Sequence, residues 1–232
     1  MNHELRFCAS LSVHRIDIDF IYQGLHEFPE KLNSNLRDAL NRLDESKYDV
    51  ILLNYGLCGN GTLRMTHPRL PMIMHNVHDC IPLIIGDGRR HSEYVSGKPG
   101  TYWYSCGWIE GFPLPGGPDY LEKYNYFYGR GIGGEMRDVI ERMLMANYTH
   151  LTFIRWDELG EKISELGRRY TMECVRSLRE RLALGVRYDE MKGDPDILQR
   201  FVDGAWNSGD FITIEPGQQL QFDPVKNVLC AV

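Results

Sequence analysis

The chain has 232 residues, of which 43% are hydrophobic and 25% charged, with a net charge of −6. A core of that size needs neither disulfides nor a structural metal, so a metal here would serve chemistry rather than hold the fold. The mildly acidic balance, with no basic run, argues against nucleic acid as a partner. No apolar stretch approaches the ~20 residues that span a membrane, and the N-terminus lacks the apolar stretch of a secretory signal. These features predict a cytoplasmic protein whose six cysteines are reduced and available as ligands, nucleophiles or core residues.

In chain order, residues 4–10 and 16–22 read as strands, the second from Ile16, Ile18, Phe20 and Tyr22. Pro29 opens a helix to about Asp44, with Leu32, Leu36, Leu40 and Leu43 on one face. The apolar run Val50-Ile51-Leu52-Leu53 reads as a strand buried on both faces, as in a parallel sheet. Met72-Ile73-Met74 forms another, and Ile81–Ile85 opens a helix. Residues 95–131, rich in Gly, Pro and aromatics, read as a strand and a long structured loop. Helices over 134–147, 158–184 and 194–204 alternate with strands at 151–154, 186–191 and 211–214. The alternation predicts a single α/β domain over 1–232: a mostly parallel, Rossmann-like sheet with helices on both faces and a helical C-terminal annex.

In a parallel sheet the crevice lies outside the carboxyl ends of the strands. On that topology Cys8, His26, Cys58, His78 and Cys80 gather along one edge. Thiolate and imidazole are the usual zinc ligands, and His78-Asp79-Cys80 can converge on one ion if its loop bends. With Cys106 further on, the spacing resembles the zinc site of corrinoid-dependent methyltransferases that methylate a thiol. Cys58 lies in Tyr55-Gly56-Leu57-Cys58-Gly59-Asn60-Gly61, where glycines permit a sharp turn and exposed N–H groups would lower the thiol pKa. The plain alternative is a tight turn around a buried, inert thiol. A phosphate-binding loop would need a lysine that Gly59-Asn60-Gly61-Thr62 lacks.

Asp79 is a candidate general base, and Arg89 a candidate anchor for an anionic substrate beside Arg90. Tyr102 and Trp108 could wall an apolar or cationic ligand, or simply belong to the core. Three cysteines from separate strands could instead hold an iron–sulfur cluster, although no close Cys-x-x-Cys run supports it. Cys174 and Cys230 read as structural.

Together, Gln23-Gly24-Leu25-His26, Tyr55–Gly61, His78-Asp79-Cys80-Ile81, Pro99-Gly100-Thr101-Tyr102, Gly107-Trp108-Ile109-Glu110 and Gly204-Ala205-Trp206 run through nearly the whole chain. In them it resembles a family of methanogens and other anaerobes known only as a domain of unknown function. Members often neighbour genes of corrinoid-dependent methylamine and betaine methyltransferases, which implies a role in one-carbon metabolism. The resemblance carries over Cys8, His26, Cys58, His78 and Cys80 as motif residues. Cys106 stands where relatives have other residues, and Ser10-Leu11 replaces a glycine-containing turn.

The expected function is therefore a zinc-dependent enzyme of methyl-group metabolism, with a small-molecule substrate and a corrinoid protein or methyltransferase as partner. One alternative is a non-catalytic accessory protein that binds a metal, or a corrinoid supplied by its partner. The other is a metal-free enzyme with Cys58 as nucleophile, activated by His78 and Asp79.

Overall fold

The computed structural model describes residues 1–225 and 228–232. Its contacts divide the chain into two compact units, Met1–Ser10 with Ile84–Pro195 and Leu11–Leu83 with Asp196–Val232. The α/β class stands, but the sheet expected to run through the chain is three among the described residues: one parallel, one mixed and one hairpin. No described helix is long and apolar enough to cross a membrane.

The first unit contains α1 (Asn2–Leu11, whose last residue falls to the second unit), α4 (Gly88–Gly97), β3 (Thr101–Tyr104), α5 (Cys106–Gly111), α6 (Tyr120–Tyr128), α7 (Gly134–Met145), β4 (His150–Arg155), α8 (Glu161–Leu182) and β5 (Arg187–Lys192). Strands β3, β4 and β5 form a parallel sheet with β4 in the centre. Parallel neighbours need crossover connections, and α8 supplies one between β4 and β5. Its apolar face, with Cys174, Val175, Leu178 and Leu182, packs with Leu151 and Phe153 of β4 and Tyr104 of β3 in one core.

The strand expected at 4–10 is the helix α1. Its buried residues, Glu4 and Cys8, are one helical turn apart. One of the two is a carboxylate, so the apolar period that would have announced a helix is missing. The long loop expected after β3 contains α5 and α6. Along α6, Tyr120, Tyr124 and Tyr128 stack at four-residue spacing, with ring centroids 5.6 and 4.4 Å apart.

The second unit contains α2 (Pro29–Asn41), β1 (Ile51–Leu53), β2 (Met72–His75), α9 (Asp196–Val202), β6 (Phe211–Ile214) and a hairpin of β7 (Leu220–Asp223) and β8 (Val228–Ala231). The short helix α3 (Ile81–Ile85) straddles the boundary. Strand β2 pairs in parallel with β1 and antiparallel with β6. Leu32, Leu36 and Leu40 of α2 pack with Leu53, Met72 and Met74 in a second core. Residues 16–22, expected as a strand, join no sheet among the described residues; Asp17 there accepts a hydrogen bond from the Tyr48 hydroxyl at 3.0 Å. The C-terminal stretch is β6 followed by the hairpin rather than a helical annex.

Candidate functional site

The carboxyl ends of β1 and β2 lead into two loops joined by their main chains. Leu57 N–H donates to the Val77 carbonyl at 2.9 Å, and Cys58 N–H donates to the His78 carbonyl at 3.0 Å. Gly56 makes that approach possible: a Cβ there would stand 2.9 Å from the Val77 oxygen and 3.1 Å from the Asp79 carbonyl group. The buried Thr62 hydroxyl lies 3.1 and 3.3 Å from the Gly56 and Leu57 carbonyl oxygens, tying the loop back on itself. From α2, the Asn33 amide donates to the carbonyls of Gly61 and Leu63 at 3.1 and 2.7 Å.

Between these anchors the backbone turns left-handed at three successive residues, Cys58, Gly59 and Asn60, with φ of 47°, 63° and 74°. Glycine and asparagine tolerate that region, whereas a cysteine there costs about 1–2 kcal/mol. The sequence placed the freedom in the flanking glycines; the structure places the strain on the thiol-bearing residue itself.

Cys58 and Cys80, at the exits of adjacent strands, are both half-buried and share one neighbourhood. Burial pushes the Cys58 thiol up to about 11, and the Asp79 carboxylate adds to the rise. Burial, with the charge of an ionised Cys58 second, pushes Cys80 up to about 12. The Tyr55 hydroxyl rises to about 12, through burial and then the same two thiols. The expected lowering of the Cys58 pKa is therefore reversed. One main-chain hydrogen bond at Gly56 opposes the rise, but desolvation of the thiolate outweighs it.

The remaining candidates divide by unit. His78 is exposed, and its ring lies edge-on to Phe222, centroids 5.5 Å apart. Asp79 accepts the Ile81 N–H at 2.8 Å and opens α3; its charge opposes ionisation of Cys58 rather than promoting it. His26 is exposed on a 3₁₀ turn, with Nδ1 2.9 Å from the Gln23 carbonyl. Cys8 belongs to the first unit, buried on α1 with Sγ 4.0 Å from the Pro195 carbonyl. Among the described residues no three His, Cys, Asp or Glu side chains are grouped to hold a metal.

Arg89 is exposed at the start of α4, where its N–H donates to Asp87 at 2.7 Å. Arg90 is held by the Ile85 and Lys192 carbonyls at 3.1 and 2.7 Å. Tyr102 packs edge-on to Tyr148, and Trp108 lies against the first unit's core. Cys106 points at the Ile163 carbonyl, 3.7 Å away, and burial pushes its thiol up to about 12.

Sequence reasoning passed over His75 and Asn54. They are the residues level with one another just after the apolar runs of β2 and β1, and the two side chains meet at 2.9 Å through His75 Nε2. Phe201 and Phe211 cover the imidazole at 4.1 and 5.5 Å. Burial drives its pKa down to about 3, and Nδ1 has no hydrogen-bond partner among the described residues. The parallel register of two apolar runs, each ending in a polar residue, was the available signal.

The family model described as "Protein of unknown function (DUF1638)" matches residues 20–202. The chain belongs to the DUF1638 family. That span holds the whole of both thiol loops, His26 and His75, so the site described lies inside the DUF1638 region. Cys8 and Cys230 lie outside it. No curated protein and no solved structure matches the chain.

Proposed function

We propose that Cys58 and Cys80 bind a soft divalent metal, zinc by preference, in a cytoplasmic enzyme of methyl-group or one-carbon metabolism. The observation that carries this reading is the thiol pair itself. Two thiols at the exits of neighbouring parallel strands are each costly to ionise in a desolvated setting, and an ionised Cys58 adds to the cost for Cys80. A bound dication removes that cost, because thiols that ligate it are deprotonated outright.

The donor set fits zinc chemically. Cys58 and Cys80 supply two sulfurs, and His78, two residues from Cys80, is the third ligand of the proposal. Three protein ligands leave a tetrahedral position open, which is the mark of a catalytic rather than a structural site. When bound, zinc would hold a thiol or another small substrate as its anion. Asp79 stands beside the pair to accept or direct a proton, and Thr62 and Asn33 hold the thiol loop in its strained turn. The methyl-group context, with a corrinoid protein or methyltransferase as partner, rests on the family's gene neighbourhoods. A metal-free cysteine nucleophile fits less well, because burial and Asp79 both keep Cys58 protonated near neutral pH.

Metal analysis after anaerobic purification tests the proposal. The expected result is about one equivalent of zinc per chain, lost in Cys58→Ser and in Cys80→Ser and reduced in His78→Ala, with circular dichroism unchanged. Full-length protein that stays metal-free after incubation with zinc would overturn it.

A further inference from the structure

In the first unit, α7 leaves most of its apolar residues on the outside. Its inward face buries only Met145 of its apolar residues in the core, and is otherwise polar: Glu141 is fully buried, accepts the Gly116 N–H at 2.5 Å, and pairs with Arg181 at 2.5 Å and Arg137 at 3.8 Å. Asp138 pairs with Arg181 on the same side; Arg142, exposed at the edge between the two faces, donates one Nη1–H to the Leu182 carbonyl at 2.8 Å. The outward face is apolar. Met136 is 52% exposed, Val139 52%, Met143 75% and Leu144 42%. Positions 136, 139 and 143, with half-buried Ile140 between them, form one stripe along the helix. An apolar stripe normally faces the core, so a contiguous exposed one marks a docking surface.

We infer that this face binds a second copy of the chain through α7 packed antiparallel to α7. The stripe is close to self-complementary about its midpoint. Two antiparallel copies centred between Val139 and Ile140 set Met136 opposite the second copy's Met143, and Val139 opposite its Ile140. Glu135 and Arg142 lie on the same flank of the stripe, and a twofold axis brings like flanks together. Glu135 of each copy then lies within about 3 Å, along the axis, of Arg142 of the other, because helical residues rise 1.5 Å apiece. A pairing of opposite charges at both ends fixes the antiparallel sense. The contact is about 18 Å long, the length of a 12-residue helix. Such a short contact suits a dimer that dissociates in the micromolar range.

Sedimentation velocity of the full chain between ~1 and ~100 µM reads this directly. The expected result is a monomer–dimer equilibrium. Val139→Glu combined with Met143→Glu should weaken it at least ~100-fold; both side chains face solvent, so the thermal midpoint should barely move. Glu135→Arg should weaken association about tenfold, and adding Arg142→Glu should restore it, since the swapped pair is again complementary. A monomer throughout the range, including one that co-sediments with anionic vesicles instead, overturns the inference. So does a dimer indifferent to the double glutamate variant.

Discussion

Both units contain parallel strand pairs whose carboxyl ends open onto polar groups, and the two treat those groups in opposite ways. In the first unit the charges are matched within the fold. Glu190 of β5 binds Arg155 at 2.8 Å and Arg168 at 2.9 Å, and accepts the Tyr188 hydroxyl at 2.6 Å. Arg168, with Tyr188 and Arg155, holds the Glu190 carboxyl below the usual carboxylate range. Lys192 pairs with Asp157 at 3.0 Å, and Arg155 pairs with the same carboxylate. In the second unit the corresponding ends carry a strained turn, two thiols that burial keeps protonated, and a buried imidazole with a nitrogen that has no partner among the described residues. Parallel-sheet topology supplies an opening in both places. What distinguishes a structural edge from a reactive one is whether the fold itself provides the counter-charge.

The largest break in this comparison should come from the backbone that joins the two thiol loops. Gly56→Val drives carbon into the Val77 and Asp79 carbonyls and should cost about 3 kcal/mol or more in urea unfolding. It should also remove zinc binding, because the Cys58 turn loses its register with the Cys80 loop.

Acid should separate the units next. His75 is neutral in the fold, with its pKa depressed from 6.5 to about 3. The unfolded chain therefore takes up a proton that the folded one refuses. The resulting stability is fully present above pH 6.5 and is lost as pH falls toward about 3, at roughly 1.4 kcal/mol per pH unit. The lowered carboxyl of Glu190 contributes stability that is lost only below its ordinary value of 4.5. Between pH 6.5 and 4.5, hydrogen exchange should therefore accelerate in residues 11–83 and 196–232, with 84–195 much less affected. His75→Gln should flatten that slope.

The smallest effect belongs to the matched edge. Glu190→Gln should cost about 1–2 kcal/mol, because its arginine partners, 25% and 26% exposed, keep contact with water, and it should leave metal content unchanged. A loss of metal in that variant would show that the two edges are not independent in function.

Much of the molecule was legible in the sequence wherever apolar period and element coincided. The leucines of α2 and the apolar residues of β4 bury what their pattern displays, and the apolar run of β1 forms the expected strand although only Leu53 of it is fully buried. Reading failed where a polar residue holds a core position, as with Glu4 on α1; at 134–147 the expected helix forms as α7, but which of its faces would stay exposed was not legible. It failed again at 16–22, where alternation without a partner strand gives extended chain but no sheet. At the site, the sequence identified the thiols and the glycine-rich turn, because residue type and spacing are local properties. It reversed the sign of the Cys58 pKa shift and overlooked His75, because both depend on desolvation by residues distant in sequence. Residue chemistry and local backbone freedom were thus set by the chain alone. Only the tertiary structure decided how much water each group keeps, whether a counter-charge stands beside it, and which apolar faces stay uncovered, since all three depend on what the rest of the chain brings alongside.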